Sequence, residues 1–155
     1  MLDHIDIRII EALQNNPGAS QRQIAEIVGL SQNACWRRIR ALEEAGVIVG
    51  RAVRLDRTKL GLDLVVFTMI RTRHHSADWL RRFRAHVIAA PEIVDVFRIG
   101  GEYDYMLKIV TTNMAGFDRV YRHLIDLDLE TVTSHFAMEA IAEERPLAVR
   151  RAQAR

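Results

Sequence analysis

The sequence predicts an α+β fold in two parts: a three-helix (winged) helix-turn-helix domain in residues 1–60, then a ferredoxin-like βαββαβ domain in residues 61–145. Before residue 46, three amphipathic helical patterns occur, and the last two are separated by a glycine-containing turn of about three residues. After residue 61, β-branched strand patterns and two helical patterns follow in the order βαββαβ. Residues 146–155 are polar and are expected to form a flexible tail.

The first two predicted helices have recognisable starts and ends. The first follows Asp3, whose carboxylate can cap it, and ends at the Asn-Asn-Pro-Gly sequence of residues 15–18. Its apolar side chains recur on one face and are Ile5, Ile9, Ile10 and Leu13. The second follows Ser20, which forms a capping-box pattern with Gln23, and it ends at Gly29. The side chains that this helix is expected to bury are Ile24, Ile27 and Val28.

The third predicted helix is capped by Ser31 and ends at Gly46. Its inward face is defined by apolar residues spaced i, i+4 and i+7, namely Cys35, Ile39 and Leu42. Cys35 has an alternative interpretation as a redox thiol, but a cysteine at a core position behaves as a small hydrophobic residue, so we favour the core. Residues 47–55 are expected to form a strand or an arm.

The outward face of the third helix carries the residues from which DNA binding is predicted. Amide side chains can read adenine edges, arginines can pair with guanine or phosphate, and recognition helices contact bases through their N-terminal half. The predicted DNA-binding residues on this helix are Ser31, Gln32, Asn33, Trp36, Arg37 and Arg40. Further arginines suited to phosphate contacts are Arg38, Arg51 and Arg54. A solvated polar face is the alternative, which an exposed tryptophan disfavours.

The distribution of charge supports the same prediction. The whole chain has a formal net charge of +2, whereas residues 31–59 contain seven Arg or Lys residues and three acidic residues. A local basic excess beside a candidate recognition helix is the electrostatic signature of a DNA-binding surface. Double-stranded DNA is therefore the expected macromolecular partner.

Composition excludes several other classes of protein. A single cysteine excludes an intramolecular disulfide framework and a multi-cysteine zinc site. The acidic N-terminal residues lack the pattern of a signal peptide, and residues 62–70, the most apolar stretch, are too short to span a bilayer. A cytoplasmic protein is therefore expected. His74 and His75 suggest a metal site, but adjacent strand residues point to opposite faces, so surface histidines are favoured.

The second domain is expected to contain strands at residues 64–70, 93–99, 103–110 and 131–141, and helices at residues 76–90 and 114–127. Ser76 can cap the first of these helices, and Pro91 closes it. Gly100 and Gly101 lie between the second and third strands, so a hairpin-type turn is expected there.

This glycine turn is also a candidate binding site for an amino acid. Glycines let a ligand approach backbone amides, which could bind its carboxylate, and Asp104 could pair with its ammonium group. The candidate residues are Gly101, Glu102, Tyr103, Asp104 and Tyr105. A tight hairpin whose tyrosines pack at a subunit contact explains the composition equally well. No nucleophile–base pair, phosphate loop or metal-ligand cluster is recognisable, so neither an enzyme nor a cofactor is expected.

Several motifs taken together resemble those of the Lrp/AsnC (feast/famine) family of transcriptional regulators. They are Leu2-Asp3-x-Ile5-Asp6, Leu30-Ser31, Arg38-Ile39-x-x-Leu42-Glu43-x-x-Gly46-Val47-Ile48 and Gly101-Glu102-Tyr103-Asp104-Tyr105. The resemblance spans nearly the whole chain and implies homodimers formed by pairing the βαββαβ sheets, often assembled into tetramers or octamers. It also implies a small effector, usually an amino acid, bound between dimers near the glycine turn, and it adds Ser134 to the candidate residues.

Within this family, the sequence Ala34-Cys35-Trp36-Arg37-Arg38 and the residues around His74 and Ser134 are most similar to a cysteine-responsive branch. Cysteine is therefore the first expected effector, followed by leucine or another apolar amino acid. Two rival functions are an enzyme resembling the siroheme decarboxylases, which have the same fold, and an amino-acid-binding module with a vestigial helix-turn-helix. The basic third helix argues against the enzyme, and sequence-preferring DNA binding would exclude the module.

Overall fold

The computed structural model describes residues 2–149. The helices are α1 (His4–Asn15), α2 (Gln21–Val28), α3 (Gln32–Glu44), α4 (Ala77–Ala89) and α5 (Met114–Ile125). The strands are β1 (Leu64–Arg71), β2 (Ile93–Arg98), β3 (Tyr105–Thr111) and β4 (Thr131–Phe136). The chain divides into two compact units, Met1–Arg54 with Ala142–Arg155, and Leu55–Ile141. Among the described residues, no helix is both long enough and apolar enough to cross a membrane.

The start of α1 confirms the predicted cap and adds to it. Asp3 Oδ1 accepts hydrogen bonds of 2.8 Å from the backbone N–H groups of Ile5 and Asp6, and Asp6 Oδ2 accepts one of 3.1 Å from the Asp3 N–H. This reciprocal pair is a capping box, in which two otherwise unpaired backbone donors are satisfied. The helix buries Ile9 and Ala12, while Ile5, Ile10 and Leu13 pack partly buried against the same core.

The second helix, α2, has the predicted capping box between Ser20 and Gln23 and ends at Gly29, whose φ of 69° is left-handed. The prediction that Ile27 is buried was wrong, because its side chain is 51% exposed. Ile24, Ala25 and Val28 fill the inward face instead. At 3.6 residues per turn, Ile27 lies about 100° around the helix from the centre of that face.

The third helix confirms the predicted inward face, since Cys35, Ile39 and Leu42 are all buried in the core of the first unit. Its N-cap is Ser31, whose Oγ accepts a 3.3 Å hydrogen bond from the Ala34 N–H. The strand predicted as one alternative for residues 47–55 was wrong, because residues 49–56 form neither helix nor strand. Val49 is 95% exposed, so this part of the chain is an extended arm without a packed apolar face.

The second unit is an antiparallel sheet of order β2-β3-β1-β4, which confirms the ferredoxin-like prediction. Alternation along the strands gives the sheet two faces. The covered face packs with α4 and α5 and carries Val66, Ile70, Leu107 and Ile109. The opposite face, called the open face below, carries Phe67, Met69, Phe97 and Met106.

The bounds of two strands and one helix of the second unit differ by a few residues from the predicted ones. β4 ends at Phe136 instead of residue 141, and α5 ends at Ile125 instead of residue 127. β3 begins at Tyr105 instead of residue 103, because Asp104 belongs to the turn: its carbonyl accepts a 2.8 Å hydrogen bond from the Ile99 N–H. The glycine turn between β2 and β3 is thereby confirmed as the connection of a hairpin.

The C-terminal segment belongs to the first unit, whereas residues 142–145 were expected with the second domain. The Leu147 N–H donates to Gln14 Oε1 at 2.7 Å, and Gln14 Nε2 donates to the Leu147 carbonyl at 3.2 Å. Arg54 Nη2 donates to the Glu144 carbonyl at 2.7 Å. The flexible tail was predicted from residue 146, and its part from residue 150 onward lies outside the described residues.

Candidate functional site

The outward side of α3 is a polar face held in place by its buried opposite side. Trp36 is 46% exposed. The other exposed residues on or beside this face are Ser31, Gln32, Asn33, Arg37 and Arg40. Gly29 turns the chain between α2 and α3, so that α3 occupies the place of the second helix of a helix-turn-helix. The structure therefore brings the six predicted residues of this helix together on one side.

Trp36 and Arg40 form a contact within this face. The Arg40 guanidinium carbon is 5.9 Å from the centroid of the Trp36 ring, within cation–π range. Arg40 Nη1 also lies 3.6 Å from Glu43 Oε2. Arg37, by contrast, has no ion pair among residues 2–149. Arg40 is thus held by two neighbouring side chains, whereas the Arg37 guanidinium can bind a phosphate or a base of another molecule.

Arg38 was predicted to contact phosphate, and the structure places it elsewhere. Its Nη1 lies 2.7 Å from Asp3 Oδ2 and 2.7 Å from Asp6 Oδ1. The pKa of Asp3 is lowered to about 2, firstly by the hydrogen bond from the Asp6 backbone and secondly by that from Arg38. Arg38 therefore joins α3 to the N-terminal end of α1. Because two carboxylates already balance its charge, Arg38 is not among the phosphate contacts proposed below.

The two arginines of the extended arm also differ. Arg51 is exposed and has no ion pair within the described part of the chain. Arg54 donates to the Glu144 carbonyl, and its Nε lies 3.8 Å from Glu144 Oε2. Arg51 is therefore available to phosphate directly, whereas Arg54 would have to exchange an intramolecular partner.

The glycine turn is fastened to the end of β1 by Asp104. Gly101 has a φ of 119°, a conformation that side chains disfavour, so glycine is needed at this position. The Asp104 N–H donates to the Ile70 carbonyl at 2.8 Å, and Asp104 Oδ2 accepts from the Thr72 N–H at 2.8 Å. One oxygen of the carboxylate therefore already holds the segment that follows β1.

Arg71 is a residue of this site that sequence reasoning missed. Its Nε donates to the Glu102 carbonyl at 2.8 Å, and its Nη2 lies 3.2 Å from Glu102 Oε1. Its guanidinium carbon is 5.6 Å from the Tyr103 ring centroid, and the Tyr103 hydroxyl donates to Thr133 Oγ1 at 3.3 Å. Only the pairing of β1 with β3 brings Arg71 to the turn, so no local motif identifies it.

Two predicted effector residues lie apart from the exposed part of the turn. Tyr105 is only 7% exposed, and its ring centroid is 4.5 Å from that of Phe83 in the core. Ser134 Oγ lies 3.1 Å from Thr68 Oγ1, and Thr68 is fully buried on the covered face of the sheet. The predicted set is therefore divided between a surface turn and the covered face.

The cysteine and the histidines have ordinary surroundings. Cys35 is 1% exposed, which confirms the core interpretation, and burial raises the pKa of its thiol. His74 Nε2 lies 2.8 Å from Asp128 Oδ2, and His75 is exposed. Among the described residues, no group of three or more His, Cys, Asp or Glu side chains could hold a metal ion.

Comparison with known proteins covers both units. A winged helix-turn-helix DNA-binding family model matches residues 2–49, and a Lrp/AsnC ligand binding domain model matches residues 65–147. Over 141 residues the chain is 42% identical to a glutamate uptake regulatory protein of Zymomonas mobilis, which covers 90% of this chain and 86% of that protein. Over 143 residues it is 39% identical to the DNA-binding transcriptional activator DecR of Escherichia coli, with coverages of 91% and 94%.

A solved structure shares the whole architecture. It is a transcriptional regulator of Neisseria meningitidis in complex with L-Met, and the two chains superpose with a TM-score of 0.89 at 31% identity. The similarity covers 96% of this chain and 97% of that chain. With a matching family model over each unit and relatives that match nearly end to end, the chain belongs to the Lrp/AsnC family of transcriptional regulators.

Proposed function

We propose that this regulator binds DNA through the outward face of α3 and that an amino acid modulates its activity. The observation that carries the proposal is the division of α3 into a buried apolar side and an exposed side bearing amides, arginines and a tryptophan. A helix anchored in this way can enter a major groove without unpacking the core of its own domain.

Base contacts are assigned to the N-terminal half of α3. Gln32 and Asn33 can each bind an adenine edge through two hydrogen bonds, and Arg37 can bind guanine in the same bidentate manner. Arg40, held beside Trp36, is the second arginine of this set. Phosphate contacts are assigned to Ser31, Arg51 and Arg54. The proposed DNA-binding surface therefore excludes Arg38.

The effector is assigned to the exposed part of the glycine turn. The backbone amides around Gly101 can receive a carboxylate, and the Asp104 oxygen that does not bind Thr72 can receive an ammonium group. Arg71 and Glu102 lie at the rim, where a ligand can exchange with their ion pair. The L-Met complex of a similar regulator supports an amino acid as effector. Cysteine is the first candidate, followed by leucine or another apolar amino acid.

A homodimer is proposed to form through the open face of the sheet. Phe97 on this face is 52% exposed, and Phe67, Met69 and Met106 lie beside it in register. Phe67, Met69 and Met106 are partly buried, and Lys108 pairs with Phe67 on the same face. An apolar patch of this kind, with an exposed phenylalanine and a charged neighbour, is typical of an interaction site. Pairing two copies of the same face buries the patch of each copy against that of the other, as closed twofold interfaces do. Tetramers or octamers would follow by joining such dimers.

To test the DNA assignment, the affinity of the protein is measured for two kinds of duplex. One duplex comes from the region upstream of its own gene, and the other has an unrelated sequence. Arg37→Ala and Arg40→Ala are each expected to weaken specific binding by about 1–3 kcal/mol, roughly 5- to 150-fold. Arg82→Ala, an exposed arginine of α4, is the control for loss of one charge. If both α3 variants bind the preferred duplex as tightly as the control does, the recognition face is assigned wrongly.

The effector assignment is tested by a thermal-shift screen against the twenty amino acids. A ligand that binds only the native state raises Tm with the logarithm of its concentration relative to its Kd. We expect cysteine, or failing that an apolar amino acid, to raise Tm and to change the affinity for the preferred duplex. A screen in which no amino acid does either would contradict the proposed effector class.

A further inference from the structure

Residues 71–74, at the end of β1 and directly after it, are bonded to two separate turns and are called the linking segment below. Arg71 Nε donates to the Glu102 carbonyl at 2.8 Å. The Thr72 N–H donates to Asp104 Oδ2 at 2.8 Å. Both partners belong to the glycine turn, so the first half of the linking segment is bonded to the proposed effector site.

The second half of the linking segment is bonded to the turn between α5 and β4, residues 126–130. His74 Nε2 donates to Asp128 Oδ2 at 2.8 Å, because a carboxylate can only accept. Arg73 Nε lies 3.6 Å from Glu130 Oε1. The linking segment therefore joins two turns that lie on either side of β3 and α5 in the chain.

The two halves of the linking segment are also bonded to each other. The His74 N–H donates to Thr72 Oγ1 at 3.0 Å. Thr72 is 3% exposed, so its own position is set by the surrounding protein. A displacement of His74 is therefore passed to Thr72, whose backbone holds Asp104.

The turn between α5 and β4 is fixed to the core and presents one carboxylate to the linking segment. Trp79, a buried residue of α4, donates from its Nε1 to the Leu127 carbonyl at 3.2 Å. Asp128 follows with a φ of 51°, in the left-handed region that aspartate, asparagine and glycine adopt most readily. Among the described residues, its carboxylate bonds only His74. The Asp128 side chain therefore has one contact, which ties the linking segment to an anchored turn.

We propose that His74 and Asp128 are positioning residues for the amino-acid site, because they hold the linking segment so that the Thr72 N–H keeps Asp104 in place for the ammonium group of the effector. This inference rests on the proposed function and deepens it by assigning the site its supporting contacts. A binding group that is already held in its bound geometry loses less conformational freedom when the ligand binds. Loss of the contact between His74 and Asp128 therefore lowers the affinity for the effector without removing any group that touches it.

The test compares two substitutions of Asp128 in the full chain, with L-cysteine, L-leucine and L-methionine as the probes. Asp128→Gly removes the carboxylate but supplies a residue that readily adopts a φ of 51°. Asp128→Asn keeps a side-chain oxygen that can accept from His74. Asp118→Asn is the matched control, since it removes an exposed carboxylate that pairs with Arg122 at 2.8 Å on α5.

We expect Asp128→Gly to bind the probe about three- to tenfold more weakly, the change that follows from losing one partly exposed hydrogen bond. Hydrogen exchange at the Thr72 amide should become faster in this variant, while Tm without probe stays within a few degrees. Asp128→Asn should recover most of the affinity, and Asp118→Asn should bind the probe as the unaltered protein does. An unchanged affinity in Asp128→Gly, or no recovery in Asp128→Asn, would overturn the positioning role.

His74→Ala breaks the same contact from its other side and completes a double-mutant cycle. We expect His74→Ala to weaken probe binding as much as Asp128→Gly does, and the double variant to lose no more than either single variant. Losses that multiply in the double variant would show that the two residues act separately, and the proposal would be wrong.

The result for the unaltered protein separates this inference from the proposed effector site. If none of the three probes raises the Tm of the unaltered protein, the effector assignment fails and the positioning role fails with it. If a probe binds the unaltered protein, and His74→Ala and Asp128→Gly bind it as tightly as Asp118→Asn does, only the positioning role is overturned.

Discussion

The Arg38 guanidinium on α3 lies 2.7 Å from the Asp3 carboxylate at the start of α1, and this ion pair ties the proposed recognition helix to the first helix of its domain. The same nitrogen lies equally close to Asp6. Asp3 and Asp6 also cap α1, so one cluster both begins a helix and orients another. Arg37 and Arg40 take no part in this cluster and are exposed, and they are the two arginines proposed to contact DNA bases.

Removing this ion pair is expected to lower the free energy of unfolding in a way that depends on pH. The folded-state pKa of Asp3 is lowered to about 2, so its ionised form contributes stability above the usual carboxyl pKa. That contribution is lost as pH falls towards 2. Urea unfolding should show Arg38→Gln less stable than the unaltered protein at about pH 6, with the difference shrinking at about pH 3.

The matched control for this prediction is Arg22→Gln. Arg22 forms an ion pair with Glu26 along α2, and both side chains are well exposed. Exposed pairs of this kind contribute about 0–1 kcal/mol, so little change is expected at either pH. An effect of Arg38→Gln that is as small as that of the control, or that does not depend on pH, would contradict the structural role of the cluster.

A pair of isoleucines on α2 tests the correction to the predicted core. Ile24 is 1% exposed and Ile27 is 51% exposed. Ile24→Ala should cost about 2–5 kcal/mol, because it leaves a cavity in the core. Ile27→Ala should change the free energy of unfolding by about 0.5 kcal/mol or less, as most surface substitutions do. If both variants lose the same free energy of unfolding in denaturant, Ile27 is buried in solution, and the correction to the predicted core is wrong.

Local signals predicted most of the fold. The sequence identifies three N-caps, Asp3, Ser20 and Ser31, because an N-cap bonds only to the first turn of its own helix. It also identifies Gly29, because the left-handed conformation that ends a helix is favoured by glycine whatever the rest of the fold. Strand and helix order followed from hydrophobic periodicity in the same way. These features depend on residues that are near one another in the chain.

Pairings between distant segments account for what sequence reasoning missed. Arg38 was assigned to phosphate because nothing near it in the chain shows that Asp3 and Asp6 would lie beside it. Arg71 reaches Glu102 only through the pairing of β1 with β3. The attachment of Leu147 to Gln14 joins residues 133 positions apart. Tertiary structure, not local propensity, decides such contacts.

The open face of the sheet predicts the behaviour of a charged variant. Phe97→Glu places a carboxylate in the proposed dimer interface, and twofold symmetry places it there twice. About half of each Phe97 side chain is already buried within its protomer, so losing the rest of the burial in both copies costs about 1.5–3 kcal/mol. That alone weakens the dimer roughly 10- to 150-fold, and burying two unpaired carboxylates costs more. Light scattering should show monomers at concentrations where the unaltered protein is dimeric. Ile88→Glu on α4, where the side chain is 78% exposed, is the control and should remain dimeric.

Asp104 allows the structural and ligand-binding roles of the glycine turn to be separated. Its Oδ2 accepts from the Thr72 N–H at 2.8 Å, a bond that an asparagine carbonyl oxygen can also accept. Asp104→Asn therefore keeps the turn and removes the charge proposed to bind an ammonium group. Asp104→Ala removes both, leaving the Thr72 N–H without its acceptor.

We expect Asp104→Asn to retain its Tm within a few degrees and its affinity for the preferred duplex, while its response to the amino-acid effector falls at least tenfold. Hydrogen bonds to charged groups contribute about 1.5–3 kcal/mol, so losing the charged partner accounts for a change of this size. Asp104→Ala should lower Tm as well, because a partly buried donor is left unpaired. If Asp104→Asn responds to the effector as the unaltered protein does, the carboxylate serves only to hold Thr72, and the ammonium group binds elsewhere.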